Sequence, residues 1–176
     1  MGSTTYLGPP GSGQSCKIAN HIATAASLRG LSEGLVFADK VGLDVSKYLS
    51  AVSRGVMGSK VMGLFGGRVI ERDFAPGGFA NYMLKDLGMA LQGSEEMGVS
   101  LPETALHHQL YMSMKANGDG FLGCHVLITA IERLSNHSLP SPPLSTHNCN
   151  YKPCTSFSDF LPGGGIDRAL FLKVGT

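Results

Sequence analysis

The chain has 176 residues and a mass of 18.5 kDa, enough for one domain and a small appendage. Charged residues are only 15%, and a formal net charge of +1 with a pI near 7.7 argues against binding nucleic acid through a basic face, which rests on neutralising several phosphates. No run of about 18 apolar residues exists to form a membrane span, and four Cys are too few for a disulfide-built fold, which suits a reducing compartment.

Residues 1–11 read as a remnant. Thr4-Thr5-Tyr6-Leu7 is a short β-prone run closed by the turn Gly8-Pro9-Pro10-Gly11, and a lone strand cannot satisfy its own backbone. The first residues lack the charged and apolar regions of a signal peptide and the Arg content of a transit peptide. From Ser12, expected as an N-cap, apolar residues recur at Ile18, Ile22, Ala25, Ala26, Leu31, Leu35 and Ala38, which is helical spacing. The run reaches Lys40, with Gly42 as its stop, a helix of about 45 Å. Such length hints at a helix bridging two bodies, and its small residues Ala19, Ala23, Gly30 and Gly34 would let neighbours cross closely.

Further helices are expected at 45–54, 58–71, 79–97, 102–116 and 121–135. Asp44 and Asp119 are candidate caps, Pro102 is a tolerated first-turn proline, and Pro76-Gly77-Gly78 is a break. With no hairpin signal between them, residues 12–137 read as an all-α array. From Ser138 the periodicity ends; 138–176, rich in Pro, Ser and then Gly, reads as a disordered or weakly ordered tail.

The stretch from Gly8 to Ser15 nearly spells a phosphate loop but has Gln14 where the lysine must stand, and two prolines remove N–H donors. That excludes nucleotide hydrolysis and leaves at most weak anion affinity at the helix N-terminus. Nor is Gly11-Ser12-Gly13 a dinucleotide fingerprint, because Cys16 stands where the third glycine belongs. Lys17, Asn20, His21 and Thr24 share one helix face, with Gly13 one turn before leaving room for a ligand. A lysine there can exchange a proton with a substrate oxygen, with Asn20 bonding the same substrate; spacing alone favours a solvated polar stripe. Lys85-Asp86 lies on another helix, where the lysine could reach an anionic cofactor or carboxylate, but spacing alone favours an exposed lysine opposite Met83, Leu84, Leu87 and Leu91. Core packing is the default for Phe74 and Phe79. His107-His108 reads as helix surface. His147, Cys149 and Cys154, even with His137 added, lack the repeated spacing of a structural zinc site, so no metal is expected.

Taken together, Gly11-Ser12-Gly13-Gln14-Ser15-Cys16-Lys17-Ile18-Ala19-Asn20, then Glu33-Gly34-Leu35 followed by Ala38 and Gly42-Leu43-Asp44, and Lys85-Asp86-Leu87-Gly88-Met89-Ala90 resemble the β-hydroxyacid dehydrogenase family. This is the family of 3-hydroxyisobutyrate dehydrogenase and 2-hydroxy-3-oxopropionate reductase, and the resemblance covers about residues 2 to 136. It implies an all-helical C-terminal domain like that of 6-phosphogluconate dehydrogenase, with the long helix joining it to an N-terminal Rossmann domain that binds NAD or NADP. Lys17 falls on the catalytic lysine and Asn20 on the substrate-binding asparagine, with Gly13 beside them. Lys85 falls on the lysine that approaches the cofactor, with Asp86 and Phe79 supporting it. Residue 21, often an amide in relatives, is His here.

The same resemblance implies a truncated chain, beginning where the family's first domain ends and inactive by itself. Its substrate would be a small hydroxyacid or semialdehyde; its compartment the cytoplasm, or the mitochondrion if a full-length form carries a transit peptide. The alternative from another class is a non-catalytic helical module that self-associates or joins full-length paralogues.

Overall fold

Gly11 starts the molecule's longest element by taking a left-handed turn, φ +99°, after Pro9-Pro10. Ser12, whose N–H bonds the Pro9 carbonyl at 3.1 Å, is therefore the first helical residue and not the expected N-cap. The computed structural model describes residues 4–140. Thr4–Leu7 is exposed and forms no strand, in contrast to its β-prone sequence, because no sheet among the described residues pairs with it.

Helix α1 (Ser12–Lys40) is the spine. Its buried residues, Ala25, Leu28, Leu31, Ser32, Leu35, Val36 and Ala38, begin only halfway along, and Ala26, expected inside, is exposed. Ser32 bonds back to the Leu28 carbonyl at 2.8 Å, so its hydroxyl is satisfied inside the core. The N-terminal turns from Ser12 to Asn20 are largely exposed, with Ile18 half-buried. Of the small residues expected to allow close crossings, only Gly34 does so, against the Tyr48 hydroxyl; Gly30 faces open space.

Asp44 accepts hydrogen bonds from the Ser46 and Lys47 amides and starts α2 (Val45–Val52), and Ser59 does the same for Met62 at the start of α3 (Lys60–Ile70). Helices α4 (Ala80–Met97) and α5 (Pro102–Ala116) share the most extensive helix–helix contact and pack with α1, and α6 (Leu127–Ser135) lies against α1 and α5. Leu28, Leu35, Leu87, Leu127 and Ile128 are almost fully buried at the shared core. Each such side chain contributes about 1.5–3 kcal/mol over an exposed one.

The helix expected over 121–135 is interrupted. After a 3₁₀ turn at Asp119–Phe121, Leu122 and Gly123 are extended and make backbone bonds that close the 74–80 loop. Leu122 accepts from the Ala80 amide at 2.9 Å, the Gly123 amide donates to Phe74 at 2.9 Å, and Cys124 donates to Gly78 at 3.0 Å. A second 3₁₀ turn, Cys124–Val126, then leads into α6. Unsatisfied loop backbone thus outcompetes helical propensity here. Asp119 is no helix cap; its carboxylate accepts from Thr129 and Arg133 instead. Within the stretch read as tail, Leu139 is buried in the core and donates its amide to Glu132 at 2.9 Å. Residues 141–176 lie outside the described residues.

Candidate functional site

Helix α1 carries Gly13, Lys17, Asn20, His21 and Thr24 down one side at intervals of three and four residues, and α4 presents Lys85 and Asp86 to it. The two stretches meet on the Asp86 carboxylate. Its side chain is 8% exposed. His21 Nδ1 stands 2.7 Å from Asp86 Oδ2, off the line of an ideal hydrogen bond. Lys17 Nζ lies 4.0 Å from the same oxygen, and Lys85 Nζ lies 2.9 Å from Oδ1. One buried carboxylate therefore gathers two ammonium groups and an imidazole.

Both lysines remain 61% exposed at their side chains, whereas His21 is 12% exposed. Burial holds the His21 imidazole below its ordinary pKa; Asp86 pulls it back up and Lys17 and Lys85 push it down. His21 is then neutral near pH 7, and two ammoniums against one carboxylate leave the face with one net positive charge. The open side agrees with that reading: a Cβ built on Gly13 would meet nothing within 4 Å, and Asn20 is exposed. The first turn of α1 carries no acidic residue, so nothing opposes an anion at its positive end.

Phe79 is not brought to this cluster. It precedes α4, six residues or about 9 Å of helix from Lys85, and packs edge-on against Tyr82 and Phe121 at 5.2 and 6.1 Å. Phe74 is half-buried against the His125 ring, under the Arg72 guanidinium at 5.1 Å. Lys85 lies on the exposed side of α4, as spacing suggested, but it is engaged by Asp86. The role of Asp86 as the shared partner was the part not visible beforehand. The signal available was a carboxylate between Leu84 and Leu87, on the buried side of α4.

His107 is not helix surface. It is buried, its Nε2 accepts from Arg29 Nε at 2.9 Å, and burial with the neighbouring guanidinium lowers its pKa. His137 pairs with Asp39 at 2.7 Å, and no cluster of three or more His, Cys, Asp or Glu suited to a metal exists among the described residues. His147, Cys149 and Cys154 lie outside them. A polar cleft lined by Arg72, Thr129, Glu132, Arg133 and His137 opens near the far end of α1; Asp39, which pairs with His137, is about 33 Å along the helix from Lys17. Its charged groups are already matched, Arg72 with Glu132 and Arg133 with Asp119.

Comparison with known proteins shows the family of the chain. Residues 11–131 match the family described as NAD-binding of NADP-dependent 3-hydroxyisobutyrate dehydrogenase. The chain belongs to this family. It is 48% identical over 141 residues to the probable 3-hydroxyisobutyrate dehydrogenase-like 1, mitochondrial, of Arabidopsis thaliana, covering 80% of this chain and 42% of that one. It is 37% identical over 135 residues to the 2-hydroxy-3-oxopropionate reductase of Escherichia coli, covering 77% of this chain and 46% of the reductase. The chain thus spans less than half the length of these curated relatives.

The fold agrees. The 3-hydroxyisobutyrate dehydrogenase of Mycobacterium tuberculosis superposes with a TM-score of 0.65 at 22% identity, over 72% of this chain and 46% of that one. Its Salmonella typhimurium counterpart gives the same score at 19% identity, over 68% of this chain and 42% of that one. The described helices are the helical domain of the 3-hydroxyisobutyrate dehydrogenase family, and a helical 6-phosphogluconate dehydrogenase-like array was the expectation. No described helix is long and apolar enough to cross a membrane.

Proposed function

We propose that these helices form the substrate- and cofactor-contacting domain of an oxidoreductase that interconverts a small hydroxyacid with its semialdehyde or ketoacid. The observation that carries the reading is the exposed Lys17 ammonium beside Asp86, above the open ground at Gly13 and Asn20. Lys17 gives a proton to the carbonyl oxygen during reduction and takes it back from the hydroxyl during oxidation. Asn20 bonds the substrate through its amide, and Gly13 admits it close to the α1 backbone. The net positive face and the N-terminal end of α1 suit a carboxylate-bearing substrate.

The donor set also fits an anionic dinucleotide. Lys85 presents an ammonium at the rim, held on its inner side by Asp86. NAD or NADP, when bound, supplies or accepts the hydride; this domain contributes charge, orientation and the proton. Orientation of this kind is worth about 7–11 kcal/mol of barrier. The 176-residue chain by itself is accordingly inactive in our reading, because the helical side alone does not fix a nicotinamide against Lys17. The names of the plant relatives favour a mitochondrial setting over a cytoplasmic one.

The test is a chimera in which residues 12–140 replace the matching domain of the E. coli reductase. Reduction of 2-hydroxy-3-oxopropionate with NADH or NADPH is expected, and Lys17→Met should lower kcat by about 10²–10⁴-fold. A Lys17→Met chimera with unchanged kcat overturns the assignment, and turnover by residues 1–176 alone overturns the expected inactivity.

A further inference from the structure

The Asp86 carboxylate has two oxygens and three nitrogen neighbours, and their distances are unequal. Oδ1 is taken by Lys85 at 2.9 Å. Oδ2 has His21 Nδ1 at 2.7 Å, off the line of a hydrogen bond, and Lys17 at 4.0 Å, so the imidazole stands against that oxygen and the ammonium stays outside it. We propose that His21 is a positioning residue: by occupying Asp86 Oδ2 it keeps the Lys17 ammonium from closing onto that carboxylate and leaves it directed at the open face. The proposal rests on the reading of Lys17 as proton donor and adds a residue to it.

The geometry favours this over a packing role. An ammonium with free access to a buried carboxylate oxygen closes to about 2.7–2.9 Å, since a charge-assisted bond of that length is stronger than a neutral one. Lys17 has a flexible four-carbon stem and sits one turn from His21 on the same face, yet stops 4.0 Å away. A side chain already on Oδ2 accounts for the gap. The charged groups acting on His21 are Lys17 on its own helix and Asp86 and Lys85 on α4. Because burial disfavours its protonated form, His21 meets the oxygen as a neutral imidazole and adds no third positive charge against Lys17.

The experiment needs no turnover. In the full 176-residue chain labelled with ¹³C-lysine, the Lys17 Cε resonance, assigned by its loss in Lys17→Arg, is followed against pH. His21→Leu keeps bulk and removes the nitrogen, and far-UV circular dichroism confirms that it folds. It is expected to raise the Lys17 midpoint by about one unit or more, as for an ammonium gaining a close carboxylate. His21→Asn, whose amide nitrogen stands where Nδ1 stood, should return the midpoint to the wild-type value. In an Asp86→Asn background, His21→Leu should no longer move it.

A Lys17 midpoint that is the same in wild type and folded His21→Leu overturns the proposal, as does a shift that persists without Asp86 or is not rescued by His21→Asn. The proton-donor reading fails separately. If the Lys17→Met chimera keeps its kcat while His21→Leu moves the Lys17 midpoint, the positioning stands and the dehydrogenase role of Lys17 does not.

Discussion

Arg72 grips Glu132 with both terminal guanidinium nitrogens, at 2.7 and 3.0 Å, across the end of α3 and the middle of α6. Glu132 is buried, and its Oε1 also accepts the Leu139 amide at 2.9 Å. The carboxylate thus ties α3, α6 and the chain leaving α6, and without its cation it would be an uncompensated buried charge. Arg72→Met is expected to cost about 3 kcal/mol or more in urea unfolding, the range for breaking one side of a buried pair. Adding Glu132→Gln to Arg72→Met removes the stranded charge while keeping an acceptor for Leu139, so the double variant should be the more stable of the two. An unfolding midpoint of Arg72→Met equal to wild type shows that the pair is not structural.

Three histidines, His21, His107 and His125, are held by burial below their ordinary pKa. In each the unfolded chain binds its proton at higher pH than the folded one, so stability falls as pH drops below about 6.5 and through the lowered folded values. Asp73, whose carboxyl Arg68 holds below the usual range, adds to the loss only at more acidic pH, as it protonates. Scanning calorimetry from pH 8 to 5 should show Tm steady above about 7 and falling below 6.5. His107→Gln keeps an acceptor for Arg29 and removes one titration, so its Tm should fall less steeply. An equal slope in that variant excludes His107 from the effect.

Two glycines separate packing from the candidate site. A Cβ on Gly123 would meet His125 Cε1 at 2.5 Å, its Nδ1 at 2.8 Å and the Ala75 carbonyl at 3.1 Å, and the His125 ring is pinned by Phe65 and the Asp73 carbonyl. Gly123→Ala should therefore destabilise by about 1–3 kcal/mol. Gly13 has open space around it, so Gly13→Ala should leave Tm unchanged or slightly raised. In the chimera the same Gly13→Ala should raise KM for the semialdehyde, since the added methyl stands where the substrate approaches. Unchanged KM there removes Gly13 from the site.

The long first helix was legible because its apolar residues keep one period from Ile18 to Ala38 with no Pro until Pro76. The ends of elements were less so. Ser12 lost the cap position to a glycine turn, and 121–123 left the helix because the backbone of 74–80 needed partners that only a three-dimensional arrangement supplies. The site was half legible: spacing placed Gly13, Lys17, Asn20 and His21 on one face of α1, and Lys85 with Asp86 on α4. What no spacing encodes is that α1 and α4 cross so that Asp86 serves both, which makes His21 a partner of a residue 65 positions away. His107 misled for the same reason, since its partner Arg29 is 78 positions distant.

The two lysines on Asp86 should divide the kinetics between them. Lys85 is exposed and bound to one carboxylate oxygen, with no second acidic partner among the described residues. If it contributes one charge-assisted contact to an anionic dinucleotide, Lys85→Met in the chimera should raise KM for NAD(P)H by about tenfold, at 1.4 kcal/mol per factor of ten, with kcat little changed. Because Lys85 faces solvent, that contact is screened, and the wild-type advantage should shrink as salt rises from 0.01 to about 1 M. Lys17→Met should do the reverse, lowering kcat while leaving cofactor KM near wild type. Steady-state kinetics with each substrate varied reads both variants. If Lys85→Met lowers kcat as deeply as Lys17→Met does, then both ammoniums act on the reacting oxygen, and the division of labour between α1 and α4 is wrong.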